Sequence, residues 1–211
     1  MRFMLGLIVL LSACASAPEA REPPAAIASN ATSWLAQHQV ASVSIAAIEE
    51  GRIAWVAAYG ERAPGRPATP DTPYNVASLA KPVSAETILR LVSTGQLDLD
   101  APMSAHWIDP DIAGDPRRDR LTLRVALSPR TGFANWRRMT DGVLRFTSEP
   151  GEGFTYSGEG YEYARRYTQA ARGADFEQLA DELVFRPIGM GNSAYTRRAW
   201  FADRIAMAHS E

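Results

Sequence analysis

The sequence is poor in the residues that build several common kinds of functional site. Its 211 residues include one cysteine, three histidines and a single lysine, against 21 arginines. One thiol cannot form a disulfide within the chain. His38, His106 and His209 are too dispersed for a zinc signature. We therefore expect no metal and no organic cofactor.

Strong net charge and long apolar runs are also lacking. A net charge of −2 provides no electrostatic footprint for nucleic acid. We interpret the arginine pairs as solvated helix and loop faces; they are Arg117/Arg118, Arg137/Arg138, Arg165/Arg166 and Arg197/Arg198. A hydrophobic content of 46% and a charged content of 22% are ordinary for a globular protein. We expect one domain with a sizeable core.

The N-terminus has the pattern of an export signal. In MRFMLGLIVLLSAC one positive residue precedes an apolar run that is too short to span a bilayer. The segment ends in LSAC, which resembles a bacterial lipobox. We predict a lipoprotein-type signal peptide at 1–14, lipidation of Cys14 and a membrane-anchored protein facing the periplasm. Cleavage after Ala17 would instead release a soluble periplasmic protein. Residues 15–24, rich in proline and alanine, are predicted to be a flexible tether.

The remaining chain alternates between strand and helix patterns. Apolar periodicity predicts a helix at 25–37, and two strands flank the turn Glu49-Glu50-Gly51 at 43–48 and 52–57. A loop is predicted at 61–73. Further helices are predicted at 78–94, with Gly95 ending it, and at 121–128, 140–147, 159–171 and 175–186. A hairpin followed by a long helical stretch predicts an α+β architecture.

The single lysine stands in a pattern that predicts a reactive amine. Proline is tolerated only in the first turn of a helix, so Pro82 places Ser78 at or just before the helix start. Lys81 then lies on the same face, one turn further on. Desolvation and the positive helix N-terminus both favour a neutral amine, which could take the proton of the Ser78 hydroxyl. Arginine cannot do this. The alternative is a capping serine beside a solvated lysine.

Four segments, in order and at plausible spacing, carry a family resemblance. They are TPYNVASLAKPVSAETILRLVSTGQLDLDAP, LTLRVALSPRTGFANW, PGEGFTYSGEGY and FEQLADELVFRPIGMGNSAYT. Together they resemble the serine β-lactamase and penicillin-binding-protein superfamily, especially its branch of class C β-lactamases, D-Ala-D-Ala carboxypeptidases and esterases. The resemblance implies an antiparallel sheet flanked by helices plus a helical lobe, within a hydrolase domain at 25–211.

The resemblance also implies roles for individual residues. Ser78 matches the acylated nucleophile and Lys81 the adjacent base. Tyr156 matches the tyrosine that shuttles protons to the leaving group. Ser157 and Gly158 complete the tyrosine motif and are expected to contact substrate.

The sequence departs from the family pattern at three places. The tyrosine motif usually ends in an asparagine that contacts substrate, whereas Gly158 has no side chain. Pro129 stands where the family often has histidine. A third motif, His-x-Gly or Lys-Thr-Gly on a C-terminal strand, is absent, and His209-Ser210-Glu211 does not supply it. We therefore expect that the C-terminal strands of the fold are missing, together with one backbone donor of the oxyanion hole.

Two functional hypotheses remain open. The first is an envelope serine hydrolase that forms an acyl-enzyme on Ser78 and acts on an ester, peptide or β-lactam carbonyl. The second is a catalytically degenerate or truncated lipoprotein that binds peptidoglycan or a protein partner through the same cleft. Because the asparagine is missing, we favour an esterase or peptidase over an efficient β-lactamase.

Overall fold

The structure is a computed structural model that describes residues 21–208. The predicted signal peptide, Cys14 and most of the predicted tether lie outside the described residues. Within them, residues 21–72 with 206–208 form one compact unit and residues 73–205 a second. None of the helices in this part of the chain is both long and apolar enough to cross a membrane.

The first unit is a helix and an antiparallel hairpin with a short third strand. Its elements are α1 (Ala25–Gln37), β1 (Ser42–Glu49), β2 (Arg52–Ala63) and β3 (Arg66–Pro67), with the strand order β1-β2-β3. Glu50 and Gly51 make the tight turn between β1 and β2 with positive φ angles of 50° and 75°, a conformation that glycine adopts without strain. The predicted helix and hairpin are confirmed.

Two details of this unit differ from the sequence predictions. β2 continues to Ala63 and pairs with β3, so the first part of the predicted loop 61–73 is a second small hairpin. Its turn contains Gly65, whose φ of 68° permits the tight reversal. On α1, whose apolar periodicity predicted the helix, Ala31 is buried but Trp34 is 47% exposed, so the apolar face is only partly buried.

The second unit begins with the helix that follows the serine. A 3₁₀ turn at Ala77–Leu79 leads into α2 (Ala80–Ser93), and Pro82 lies in its first turn as predicted. The helix ends before Gly95, whose φ of 70° is a typical helix stop. Ile88 and Leu91 are fully buried in the core of this unit.

Three further helices complete the second unit. They are α3 (Leu123–Leu127), capped by the Thr122 hydroxyl, α4 (Gly158–Arg172), and α5 (Phe176–Ala180), which continues as a π-helical turn to Phe185. These match the predictions at 121–128, 159–171 and 175–186. They pack around a core that includes Met103, Ile112, Leu121, Leu123, Phe133, Leu144, Tyr163 and Phe176.

The predicted helix at 140–147 is wrong. The chain forms only a 3₁₀ turn at Arg137–Thr140, after which Asp141 and Gly142 have positive φ angles of 59° and 81°. Two consecutive left-handed residues cannot continue a right-handed helix. Phe146 then forms an isolated antiparallel bridge with Phe133, and the two rings pack 4.9 Å apart. Burying Phe146 in this way outweighs the local helical periodicity. The overall α+β prediction is confirmed.

Candidate active site

A tight turn holds the nucleophile candidate at the entrance to α2. The Asn75 side-chain oxygen accepts a hydrogen bond of 2.9 Å from the Ala77 N–H. Ala77 has a φ of 47°, a strained value for a residue with a side chain. The strained residue directly precedes Ser78, which is exposed in the 3₁₀ turn at the start of the helix. Local structure therefore presents the serine hydroxyl to solvent.

Two further polar groups converge on the Ser78 hydroxyl. The Lys81 amine lies 3.0 Å from Ser78 Oγ, and the Tyr156 hydroxyl donates to the same oxygen at 2.9 Å. Lys81 comes from the next turn of the same helix, whereas Tyr156 comes from a loop 78 positions later in the chain. The three residues that the sequence singled out are thus brought together. Both distances allow direct proton transfer to and from the serine oxygen.

Two aromatic rings surround the Lys81 amine. Its nitrogen lies 4.9 Å from the centroid of the Tyr156 ring and 5.7 Å from that of Tyr161. The Tyr161 hydroxyl is fixed by a 3.3 Å hydrogen bond to the Leu127 carbonyl. Sequence analysis did not identify Tyr161, although a tyrosine one helical turn beyond the tyrosine motif is a usable signal. The two rings restrict where the flexible lysine side chain can place its amine.

The lysine also changes the acidity of Tyr156. Hydrogen bonding to Lys81, and secondarily to Ser78, lowers the pKa of the Tyr156 phenol, and desolvation only partly opposes this. A phenol with a lowered pKa releases its proton more readily at physiological pH. Tyr156 is therefore suited to donating a proton and taking it back during one reaction cycle.

Backbone hydrogen bonds position the loop that carries Tyr156. The Thr155 N–H donates to the Pro129 carbonyl at 2.9 Å, and the Gly151 N–H donates to the Arg130 carbonyl at 2.8 Å. Residue 129 thus positions the Tyr156 loop through its backbone carbonyl oxygen, which accepts the hydrogen bond from the Thr155 N–H. Proline has the same carbonyl as any other residue, so the replacement of the family's histidine leaves this contact intact.

Ser157 lies in the interior and caps α4. Its side chain is almost fully buried; the hydroxyl donates to the Ala134 carbonyl at 2.9 Å and accepts from the Gly160 N–H at 3.0 Å. Both hydrogen bonds fix the start of the helix beside Tyr156. In the structure Ser157 is a helix cap, and its contact with substrate stays a prediction.

Gly158, the first residue of α4, is covered by an aromatic ring. A β-carbon added at this position would lie 2.5 Å from Cη2 of Trp136 and 2.7 Å from two other ring atoms. The Gly158 N–H also donates to the Asn135 side-chain oxygen at 2.9 Å. The glycine that departs from the family motif is therefore matched by a tryptophan that occupies the space of a side chain.

A buried ion-pair cluster holds the segment that carries Trp136. Arg137 donates to Glu159 through its backbone N–H and its guanidinium, and it also reaches Asp109 and Asp111 at 3.1 Å. The hydrogen bond to Glu159 raises the pKa of Arg137 further above its ordinary value. The interpretation of all four arginine pairs as solvated faces is therefore wrong for Arg137, because three acidic side chains meet it. Its neighbour Arg138 is exposed.

A serine oxygen within hydrogen-bond reach of a lysine amine and a tyrosine hydroxyl is the arrangement of a serine acyl-transfer site. The family model described as "Beta-lactamase" matches residues 25–211. The chain therefore belongs to the beta-lactamase family.

Curated relatives and solved structures agree with this assignment. Esterase EstB of Burkholderia gladioli is 28% identical over 190 residues, covering 74% of this chain and 47% of the esterase. The D-alanyl-D-alanine-carboxypeptidase/endopeptidase AmpH of Escherichia coli strain K12 is 26% identical over 176 residues, covering 70% of this chain and 45% of AmpH. The octameric penicillin-binding protein homologue from Pyrococcus abyssi superposes with a TM-score of 0.71 at 23% identity, covering 86% of this chain and 47% of that one.

The chain thus spans about half the length of these curated relatives. The resemblance that the sequence motifs indicated, to the superfamily of serine β-lactamases and penicillin-binding proteins, is confirmed.

Proposed function

We propose that this protein is an envelope serine hydrolase that forms an acyl-enzyme on Ser78. One observation carries the proposal, namely the convergence of the Lys81 amine and the Tyr156 hydroxyl on Ser78 Oγ at 3.0 and 2.9 Å. A solvated lysine beside a capping serine, the alternative reading of the sequence, would not need a tyrosine from a distant loop on the same oxygen. The names of the relatives, an esterase and a carboxypeptidase/endopeptidase, support an acyl-transfer reaction.

The reaction follows from the positions of the three side chains. Ser78 Oγ bonds to the carbonyl carbon while its proton passes to the Lys81 amine, which acts as the base. The backbone N–H of Ser78 donates to the oxyanion of the tetrahedral intermediate. When the carbon–heteroatom bond breaks, Tyr156 supplies a proton to the departing oxygen or nitrogen and regains one from Lys81. Water then attacks the carbonyl carbon of the acyl-enzyme, and the bond between that carbon and Ser78 Oγ breaks. One proton of the water passes to Ser78 Oγ through the same groups, and the carboxylic acid is released.

We propose ester and peptide carbonyls as substrates, in preference to β-lactams. The family's asparagine contacts substrate from the end of the tyrosine motif, and Gly158 cannot do so. An ester or amide of a flexible substrate depends less on this one contact than efficient β-lactam turnover does. Hydrolysis of a chromogenic cephalosporin at a rate that rivals a dedicated β-lactamase would contradict this preference.

The location of the protein is a proposal from the sequence. The apolar segment before Cys14 and the LSAC sequence favour export and a lipid anchor. Metabolic labelling with an alkyne fatty acid tests this, because Cys14→Ser should abolish the label. A label that survives the substitution would contradict lipidation at Cys14.

Covalent labelling of the serine tests the enzymatic proposal. A fluorescent fluorophosphonate should label the purified chain, since attack of Ser78 Oγ on phosphorus forms a P–O bond and expels fluoride. Ser78→Ala should abolish the labelling. Ser93→Ala is the matched control, because Ser93 lies on the same helix and its hydroxyl only bonds the Arg90 carbonyl. We expect the control to label like the parent.

Two outcomes would contradict the proposal. Labelling that survives Ser78→Ala would remove this serine from the mechanism. A folded parent that neither fluorophosphonate nor fluorescent penicillin labels would favour the second hypothesis, a catalytically degenerate protein that binds its ligand through the same cleft.

A further inference from the structure

The glycine at the end of the tyrosine motif is required by packing and not by its backbone. Gly158 does not have a positive φ, so the helix geometry itself would accept other residues. The obstacle is the Trp136 ring, since three of its carbons lie within 2.7 Å of the place where a β-carbon would be. Real β-carbons do not approach other atoms so closely, so one group would have to move.

The backbone of Trp136 is held beside the first turn of α4. On one side of it in the chain, Asn135 accepts from the Gly158 N–H, and its carbonyl accepts from the Glu159 N–H at 3.1 Å. On the other side, Arg137 is bound to Glu159 through both backbone and side chain. The residues before and after Trp136 are therefore tied to the first turn of α4. The backbone that carries the ring cannot shift away from Gly158 without breaking these bonds.

The ring also packs on the segment that carries the reacting tyrosine. Gly158 is two residues after Tyr156, so their α-carbons are at most about 7 Å apart. The Tyr156 hydroxyl in turn lies 2.9 Å from Ser78 Oγ. Although it packs on Gly158, Trp136 remains 40% exposed, and Phe154, on the other side of Tyr156 in the chain, is 71% exposed. Partly exposed aromatic rings therefore lie at Phe154, two residues before Tyr156, and against Gly158, two residues after it.

We infer that Trp136 is a specificity-determining residue, which replaces the missing polar contact at position 158 by an apolar wall and selects substrates with an apolar group next to the scissile carbonyl. This inference rests on the proposed function, because it names the substrate class of the same site. An indole face gains contact area from an alkyl or aryl group and offers little to a polar one. A polar side chain at position 158 and the Trp136 ring exclude one another.

The melting temperatures of single and double variants test the packing of Trp136 against Gly158 without requiring activity. Gly158→Asn should lower the melting temperature by about 2–10 °C, because it forces an overpacked contact. In a Trp136→Ala background, Gly158→Asn should lower the melting temperature by much less. Gly114→Asn is the matched control, since Gly114 has no positive φ and a β-carbon there would meet nothing within 4 Å. If Gly158→Asn lowers the melting temperature equally in the two backgrounds, the Trp136 ring does not exclude a side chain at position 158.

Labelling with a pair of probes tests the selectivity. Two fluorophosphonates carry the same reporter, one through a decyl linker and one through an ethylene glycol linker. We expect the parent to react faster with the decyl probe, and Trp136→Ala to reduce the ratio of the two rates by about tenfold. Trp136→Phe should retain most of the ratio. Trp200→Ala, which removes another partly exposed tryptophan, should leave the ratio as it is in the parent.

The outcomes separate this inference from the proposed function. If both probes label Ser78 and Trp136→Ala leaves their ratio unchanged, the inference is overturned and the hydrolase proposal stands. If a folded parent reacts with neither probe, the hydrolase proposal fails and the substrate preference fails with it.

Discussion

At the scale of single residues, the candidate site depends on a hydroxyl that receives two hydrogen bonds. Lys81 and Tyr156 both reach Ser78 Oγ, and the lysine also lies over the tyrosine ring. The three groups therefore form one hydrogen-bonded unit in which a proton can be passed around. Removing any member should affect the other two, which makes the unit testable by substitution.

Arginine should not replace Lys81. A guanidinium stays protonated and cannot accept the serine proton near neutral pH. Lys81→Arg should lower the rate of Ser78 acylation on the order of a hundredfold or more, comparably to Lys81→Ala. A time course of labelling with the fluorophosphonate measures this rate. Near-normal acylation in the arginine variant would leave Lys81 only an electrostatic or structural role.

The pKa of Tyr156 should depend on Lys81. Hydrogen bonding from the lysine lowers the pKa, so Lys81→Met should raise it and the phenolate should form at higher pH than in the parent. Near-ultraviolet titration of tyrosinate measures the shift, with the Tyr156→Phe spectrum subtracted. Burial raises the pKa of Tyr163 to about 12, so that this tyrosine titrates well above Tyr156 and interferes little with the subtraction. A phenolate that forms at the same or lower pH in Lys81→Met would contradict the coupling.

At the scale of the elements, one short segment connects the site to the fold. Residues 133–137 bridge the core and the first turn of α4: Phe133 is fully buried, and Ala134, Asn135 and Arg137 bind residues 157–159. The tyrosine motif is thus positioned by a short segment that runs from the isolated bridge at Phe133 to the 3₁₀ turn that begins at Arg137. The ion pair of Arg137 with Glu159 fastens this connection.

Loss of Arg137 should destabilise the protein far more than loss of its neighbour. Arg137→Ala would leave Glu159 and Asp109, whose side chains are 8% and 5% exposed, without their cation. Because Arg137 itself is partly exposed, we expect a loss of about 2 kcal/mol or more in the free energy of unfolding. Arg138→Ala, at an exposed position, should change it by less than about 0.5 kcal/mol. Urea denaturation of both variants measures these changes. Equal losses of unfolding free energy in Arg137→Ala and Arg138→Ala would contradict a stabilising role of the ion-pair cluster.

At the scale of the whole molecule, the hairpin leaves apolar side chains in contact with water. Ile48 and Ile53 face each other across β1 and β2 and are 70% and 61% exposed. Within the described residues, β1 has β2 as its one strand partner. An unpaired strand edge beside exposed apolar side chains invites edge-to-edge association.

Residues 15–211, without the predicted signal peptide, should therefore associate in solution through this hairpin. We expect light scattering after size exclusion to show oligomers, and Ile48→Lys to shift the population towards monomer because a charge on the edge strand opposes pairing. Val143→Lys is the control, since Val143 is exposed outside the strands and should not change the oligomeric state. A parent that is monomeric at high micromolar concentration would contradict this prediction.

The sequence by itself indicated the family, and it singled out Ser78 and Lys81 as the candidate nucleophile and base. Pro82 and the spacing of Ser78 and Lys81 depend only on local helix geometry, which a few neighbouring residues decide. The same holds for the hairpin turn and for Asp175, whose side chain caps α5 by accepting from the Glu177 N–H. Motifs of this kind are local in sequence, and they remain recognisable when the overall sequence identity to relatives is low.

Only the tertiary structure decided what surrounds these residues. The contact of Trp136 with Gly158 and the pairing of Arg137 with Glu159 each join positions 22 apart, and no local pattern reports them. Segment 140–147 likewise has helical periodicity, but burial of Phe146 against Phe133 favours an irregular path over a helix. Burial and ion pairing between distant segments outweigh local propensity, because the free energy that they contribute depends on neighbours that only the folded chain brings together.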